Sequence, residues 1–244
     1  MSDTLLKISK LLTAMLIALM SLIATQADAA RPLNTDDANV VDPKSCQDES
    51  WVKKSKSSIE RWIVPGCNFF ADTEISLGAN FQSETGLESS RYQLMQAKKR
   101  WRVLEPGDWG FSTTLGTLRN TTQLPGNVEV RDVYLNVPIT TSLGQDRFLH
   151  LNVGWVKHKV LGYGAKTWGM GVEAPLSTRV IGILETYGEG KQATKYQVGL
   201  RFWVIPQRVQ IDTTLGNVLN VSSHTGPTQR WFSVGLRLLS PALY

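Results

Sequence analysis

The chain has 244 residues, with 26 Lys and Arg against 21 Asp and Glu, a net charge of +5 at neutral pH. The excess is mild and its longest like-charge block is Lys98-Lys99-Arg100, so no nucleic-acid surface is indicated. Three scattered histidines, no G-x-S-x-G elbow and no metal-spaced ligand set argue against an enzyme, and no cofactor or metal is expected.

The first 29 residues have the layout of a signal peptide. Lys7 and Lys10 form a basic start, Leu11 to Ala24 an apolar run, and Ala27-Asp28-Ala29 a small-x-small cleavage pattern. The run falls short of the about 20 residues a spanning helix needs. Cleavage is expected after Ala29, or alternatively after Ala30. About 215 residues then remain, room for one all-β domain. Residues 30–45 are polar, contain Pro32 and Pro43 and show no period, as expected of an extended leader or a plug.

Cys46 and Cys67 are the two cysteines. Export places them in an oxidising compartment, where a disulfide is the default.

Beyond Cys67 a period of two takes over. Ile75, Leu77, Ala79 and Phe81 alternate with Glu74, Ser76, Gly78 and Asn80; Val209, Ile211, Thr213 and Leu215 alternate with Gln210, Asp212, Thr214 and Gly216. Such alternation marks strands with one apolar and one polar face. It predicts about twelve strands, at 47–54, 58–66, 72–82, 91–104, 109–120, 127–142, 146–158, 165–176, 179–188, 194–204, 208–217 and 230–239. Tight links such as Pro206-Gln207 alternate with longer polar ones such as Val218 to Gln229. Short turns on one side and long loops on the other are the pattern of an antiparallel up-and-down transmembrane β-barrel covering 46–244. Trp62, Trp101, Trp109, Trp155, Trp168, Trp203 and Trp231 fall towards strand ends, as interfacial girdles require.

If the apolar face meets lipid, the polar face lines the lumen. That places Glu74, Lys98, Arg100, Arg102, Asp132, Asn152, Glu173, Arg201, Asp212 and Arg237 inside, with Glu185 among them if its strand has that parity. The signs are roughly balanced, which suits either a structural salt-bridge network or a polar conduit, since a buried charge must be paired or wet. Inward glycines, among them Gly169, Gly171 and Gly216, would let long charged side chains fold over them. His150 is expected as a satisfied or lumen-facing histidine. Lys99 shares the lipid-facing parity and would have to reach the interface from near a turn. Pro241 ends the alternation after Leu239.

Arg31-Pro32-Leu33-Asn34-Thr35-Asp36-Asp37-Ala38, directly after the signal peptide, resembles the mature start of the outer-membrane proteins linked to the meta-pathway of phenol degradation. Pro65-Gly66-Cys67-Asn68, Trp168-Gly169-Met170-Gly171-Val172-Glu173 and Gly199-Leu200-Arg201-Phe202-Trp203 are similar to a proteobacterial branch of that family. The resemblance implies an outer-membrane barrel carrying small, hydrophobic or aromatic compounds, surrounded by outer-membrane lipid and inserted by the barrel-assembly machinery. The cysteine pair departs from the broader family. The rival expectation is a soluble periplasmic β-barrel that binds a ligand.

Overall fold

The computed structural model describes residues 33–70, 72–122, 130–159, 161–219 and 230–243. The signal peptide and its cleavage site lie outside the described residues.

Twelve antiparallel strands are described: β1 (Cys46–Ser55), β2 (Ser58–Asn68), β3 (Thr73–Glu84), β4 (Ser90–Arg102), β5 (Trp109–Asn120), β6 (Val130–Ser142), β7 (Phe148–Lys157), β8 (Gly164–Pro175), β9 (Val180–Glu189), β10 (Lys195–Ile205), β11 (Val209–Val218) and β12 (Trp231–Leu239). Each pairs with its neighbours in sequence, and β1 pairs with β12 from Gln47↔Leu239 to Ser55↔Trp231, closing the barrel. Closure leaves no strand edge open.

Burial is inverted relative to a water-soluble protein. Leu77, Met95, Leu115, Val153 and Leu215 stand exposed on the outside, whereas Arg201, His150, Gln197, Gln210 and Asp212 are sealed inside. The period of two in the sequence is the direct cause, because successive side chains leave opposite faces of a strand. On β9, Ile183 points in and Leu184 out, so Glu185 shares the lumen with Ile183.

Two prolines sit in strand interiors and each marks a gap in a ladder. The β2–β3 register skips Val64 and Pro65, and the β5–β6 register skips Val137 and Pro138. A proline has no N–H to give to the strand on that side.

The first strand begins and the last strand ends at one end of the barrel, called here the base; the opposite end receives the β3–β4, β5–β6, β7–β8, β9–β10 and β11–β12 connections. The asymmetry is incomplete, because β1 and β2 join at that loop end through Lys56 and Ser57 alone. At the base Cys46 and Cys67 face each other in register and form a disulfide, with 4.0 Å between their Cα atoms. On the chain-entropy account a crosslink closing such a loop stabilises by about 3 kcal/mol. Cys46→Ser/Cys67→Ser should therefore fold but unfold at lower urea, and equal midpoints with and without reductant would contradict this.

The tryptophans divide. Trp101, Trp109, Trp155 and Trp168 are exposed on the outer face near its two ends. Trp62 and Trp231 are instead inside the barrel, and Trp203 is half-buried beside a bulge near the base. Position near a strand end is a sound signal for height, but parity decides which wall of the barrel the ring leaves. Lys99 is on the outer wall near the base, its ammonium 6.0 Å from the Trp101 ring.

Candidate functional site

The lumen is occupied by the chain's own leader. Residues 33–45 run from mid-barrel down to the base, and Leu33, Thr35, Asp37, Ala38, Asn39, Val40 and Val41 are buried. Only at the base, where the Lys44 amide bonds the Asn68 carbonyl, does this segment meet the sheet's backbone, so side chains of the barrel wall supply acceptors for the amides above. Glu185 accepts from the Asn34 and Thr35 amides at 2.9 and 2.8 Å. Asn152 accepts from the Asp36 amide at 2.8 Å and donates to the Asp36 carbonyl at 2.7 Å, as an adjacent strand would. Thr140 takes the Ala38 amide, and Glu74 takes the Val41 amide while Asn68 donates to the Val41 carbonyl.

Charge fixes the plug as well. Lys98 on β4 reaches Asp36 at 3.0 Å and Asp37 at 3.5 Å, with its own side chain almost wholly buried. Thr35 lies over Gly169 and Gly171 of β8, where a Cβ built at Gly169 would sit 2.8 Å from the Thr35 hydroxyl. The two glycines are the slot for the plug.

At the base the chain leaves the lumen through a turn in which the Ser45 amide bonds the Asp42 carbonyl and Lys44 takes a left-handed φ of 63°. The C-terminal tail clasps this turn, the Leu243 amide donating to the Lys44 carbonyl.

Beneath and beside the plug lies a buried charged cluster. Arg201 on β10 sits between Glu173 on β8, at 2.8 Å, and Asp212 on β11, at 2.9 Å, and Gln210 donates to the second Asp212 oxygen at 2.8 Å. His150 Nδ1 is 2.9 Å from the Thr140 hydroxyl, and Nε2 lies 3.8 Å from Glu173. Arg237 bonds Gln47 at 2.8 Å and lies 3.7 Å from Glu49.

The polar positions named from parity thus separate into four places. Glu74, Lys98, Asn152, Glu173, Glu185, Arg201, Asp212 and Arg237 surround or underlie the plug. Arg100 is at the base, paired with Asp72 at 2.6 Å. Asp132 is at the loop-end mouth. Arg102 is not in the lumen: a bulge between Arg100 and Arg102 breaks the alternation, so Arg102 is exposed, bonded to Asp108 and to the Trp109 carbonyl and 4.3 Å from the Trp109 ring.

The expected balance of charge also needs correction. Around the plug stand five wall carboxylates (Glu49, Glu74, Glu173, Glu185 and Asp212) and the plug's own Asp36 and Asp37, against Lys98, Arg201 and Arg237. Backbone amides of the plug absorb part of the surplus, since Glu185 and Glu74 accept from them. Strand parity could not show this, because the partners belong to a segment without a period.

Above the plug is a vestibule of about 410 Å³ whose lining includes Asn34, Trp62, Leu94, Leu118, Tyr134 and Val156. Trp51 stacks on Trp62 with 5.4 Å between ring centres, and the Tyr134 hydroxyl donates to Gln96 at 2.7 Å. Gly116 makes room for Tyr134, whose ring would lie 2.3 Å from any added Cβ. Gly216 likewise makes room for the Trp231 ring, so Gly116 and Gly216 accommodate aromatic rings, and Gly169 and Gly171 accommodate Thr35, in place of the long charged side chains expected. A separate hollow of about 570 Å³ lies on the outside, over Val172, Leu184, Val198 and Leu215.

At the mouth His158 bridges two carboxylates, Asp132 at 2.8 Å from Nδ1 and Glu189 at 2.7 Å from Nε2. Partial burial disfavours its charged form, but hydrogen bonds and attraction from both carboxylates outweigh this and hold its pKa above the ordinary 6.5. A raised folded-state pKa means stabilisation that is complete below pH 6.5 and is lost as pH climbs through the folded value. The His158 ring proton should thus titrate above 6.5 by NMR, and Asp132→Asn should bring it down. A native titration at or below 6.5 would contradict the bridge.

A closed twelve-stranded barrel, apolar outside and charged within, defines a class seen in outer-membrane channels. The fold is similar to that of the COG4313 outer membrane channel from Pseudomonas putida F1, with a TM-score of 0.64, 12% identity and coverage of 85% of this chain and 98% of that one. It is also similar to the KdgM porin in complex with disordered oligogalacturonate, with a TM-score of 0.59, 8% identity and coverage of 79% and 98%. The NanC porin is similar at a TM-score of 0.55, 9% identity and the same coverage. No curated protein sequence matches the chain. The chain belongs to the family described as uncharacterised conserved protein UCP029691, whose model matches residues 15–239.

Proposed function

We propose that this protein is an integral outer-membrane β-barrel that passes small solutes through a lumen gated by residues 33–45. The observation that carries the proposal is the inverted burial, with leucine, valine and tryptophan outside and arginine, aspartate and glutamate within. Water would penalise that outer surface and lipid would not. Similarity of fold to outer-membrane channels supports the reading, as does the signal-peptide pattern of residues 1–29. The base, where β1 begins and β12 ends, faces the periplasm on this reading, and insertion uses the barrel-assembly machinery.

The vestibule supports a small hydrophobic or aromatic solute. Stacked Trp51 and Trp62, with Leu94, Leu118 and Val156, offer flat apolar contact above the plug. The resemblance of the Arg31–Ala38 stretch to proteins linked to phenol degradation points to the same class of cargo. A conduit also fits better than a catalyst. Thr140, the hydroxyl nearest His150, is fully buried and already accepts the plug's Ala38 amide, so no substrate carbonyl can approach it.

Two measurements test the reading. The mature protein should stay with outer membranes through alkaline and urea washes, and release into the soluble fraction would favour the periplasmic binding protein instead. In planar bilayers the intact protein should show rare, brief openings, and a barrel silent even without its plug would refute transport.

A further inference from the structure

The outer face of the barrel is electrically lopsided. At the loop end, the lipid-facing positions of β1, β2, β4, β7 and β8 carry Lys54, Arg61, Arg91, Lys157 and Lys166, all exposed. Arg119 on β5 and Arg131 on β6 continue the same belt and stand opposite each other in register. Among the described residues, the outward strand positions hold a single carboxylate, Asp48, and it lies near the base. The turns are mixed in sign at both ends, with Lys56, Glu84 and Glu88 at the loop end and Asp72, Arg102, Asp108 and Arg179 at the base, so the single sign belongs to the outward strand positions of the loop end. A belt made only of bases, on one rim of an apolar surface, has a charge complement in a lipid headgroup that bears phosphate.

The bases are set among aromatic rings. Lys54 is in register with Phe232, Arg61 with Phe81 and Lys166 with Trp155, and the Arg91 guanidinium lies 6.0 Å from the Phe81 ring. Rings and long cationic side chains at one level mark the boundary between acyl chain and headgroup. The sector of β9 to β11 lacks the feature: its outward positions at that end are Thr186, Tyr196 and Asn217. The belt is thus a directed surface, not a general basic coating.

We propose that the rim formed by β1 to β8 binds phosphorylated glycolipid of the outer leaflet, with the lysines and arginines on the lipid A phosphates and the rings against its sugar and acyl junction. This rests on the membrane reading above. Guanidinium groups suit phosphate because their planar fork donates in pairs.

The test uses the full mature protein, extracted in mild detergent and folded into vesicles of phosphatidylethanolamine. Bound lipid is counted by mass spectrometry after titration with bisphosphorylated lipid A or with the same lipid stripped of phosphate. Wild type should retain the bisphosphorylated form in preference. Arg61→Gln/Arg91→Gln/Lys157→Gln/Lys166→Gln should weaken that retention by about tenfold or more, since each base near an anionic surface contributes separately. Arg91→Gln/Lys166→Gln, milder for folding, should weaken it severalfold, with heat-dependent gel mobility confirming a closed barrel. Equal retention of the stripped lipid, or undiminished retention by the folded variants, would overturn the proposal alone. Failure of wild type to insert into vesicles would overturn the membrane reading and this proposal together.

Discussion

Excising residues 34–42 should raise single-channel conductance by about tenfold or more, on the geometric ground that twelve strands enclose more space than side chains fill in eight-stranded barrels. The segment occupies the middle of the lumen, and the groups that hold it (Glu185, Asn152, Lys98 and Glu74) are polar enough to take water in its place. The barrel should therefore remain closed and heat-resistant on a gel after the excision. Removal takes away Asp36 and Asp37 but leaves five wall carboxylates against three bases, so the opened pore should prefer cations in a salt gradient. A milder variant, Gly169→Val, should act in the same direction by crowding Thr35 out of its slot. Unchanged conductance in the excised protein, with the barrel shown to be folded, would remove the plug from the account of gating.

Arg201→Met should lower stability by about 3–5 kcal/mol, the usual cost of stripping one partner from a buried charged cluster. The methionine fills similar volume but leaves Glu173 and Asp212 facing each other without a cation, in a place fully shielded from solvent. Urea unfolding from lipid vesicles would read the loss as a lower midpoint. Glu173→Gln and Asp212→Asn added to the same variant should recover most of it, because the desolvated charges go with the arginine. If the single variant unfolds like wild type, the cluster is wet and the lower lumen is not sealed as described.

Most of the barrel was legible in the sequence, because a half-buried strand writes its burial as alternation. The stretch from Val209 to Gly216 shows this residue by residue, with Val209, Ile211, Thr213 and Leu215 outside and Gln210, Asp212, Thr214 and Gly216 within. The ends of the elements were less certain, since Trp109 and Arg102 sit where a bulge and a turn interrupt the period. Arg102 was misplaced for that reason. Trp62 and Trp231 were misplaced because tryptophan suits an interface and a lumen equally well, and only its parity within the closed register separates them. The plug was the least legible part. Its Asp36-Asp37 pair has no strand to fix its direction, and Lys98, Asn152 and Glu185 meet the plug across separations of 62, 116 and 150 residues. His158, Asp132 and Glu189 were likewise hidden by distance, meeting only where three loop ends converge.

The seam between β1 and β12 sets an order of events during assembly. Its two strands come from opposite ends of the chain, so their union is the most non-local step and the last to be rewarded. The disulfide ties β1 to β2 and holds the receiving strand as half of a hairpin before its partner arrives. The plug hangs from β1 immediately beside that strand and bonds wall residues from Glu74 on β3 to Glu185 on β9, contacts that a finished barrel would admit only by threading the segment in afterwards. Closure must therefore wrap around the leader as a stave is set around the contents of a cask, and a bulky domain fused ahead of Leu33 would stall the seam while the same domain placed after Leu243 would not.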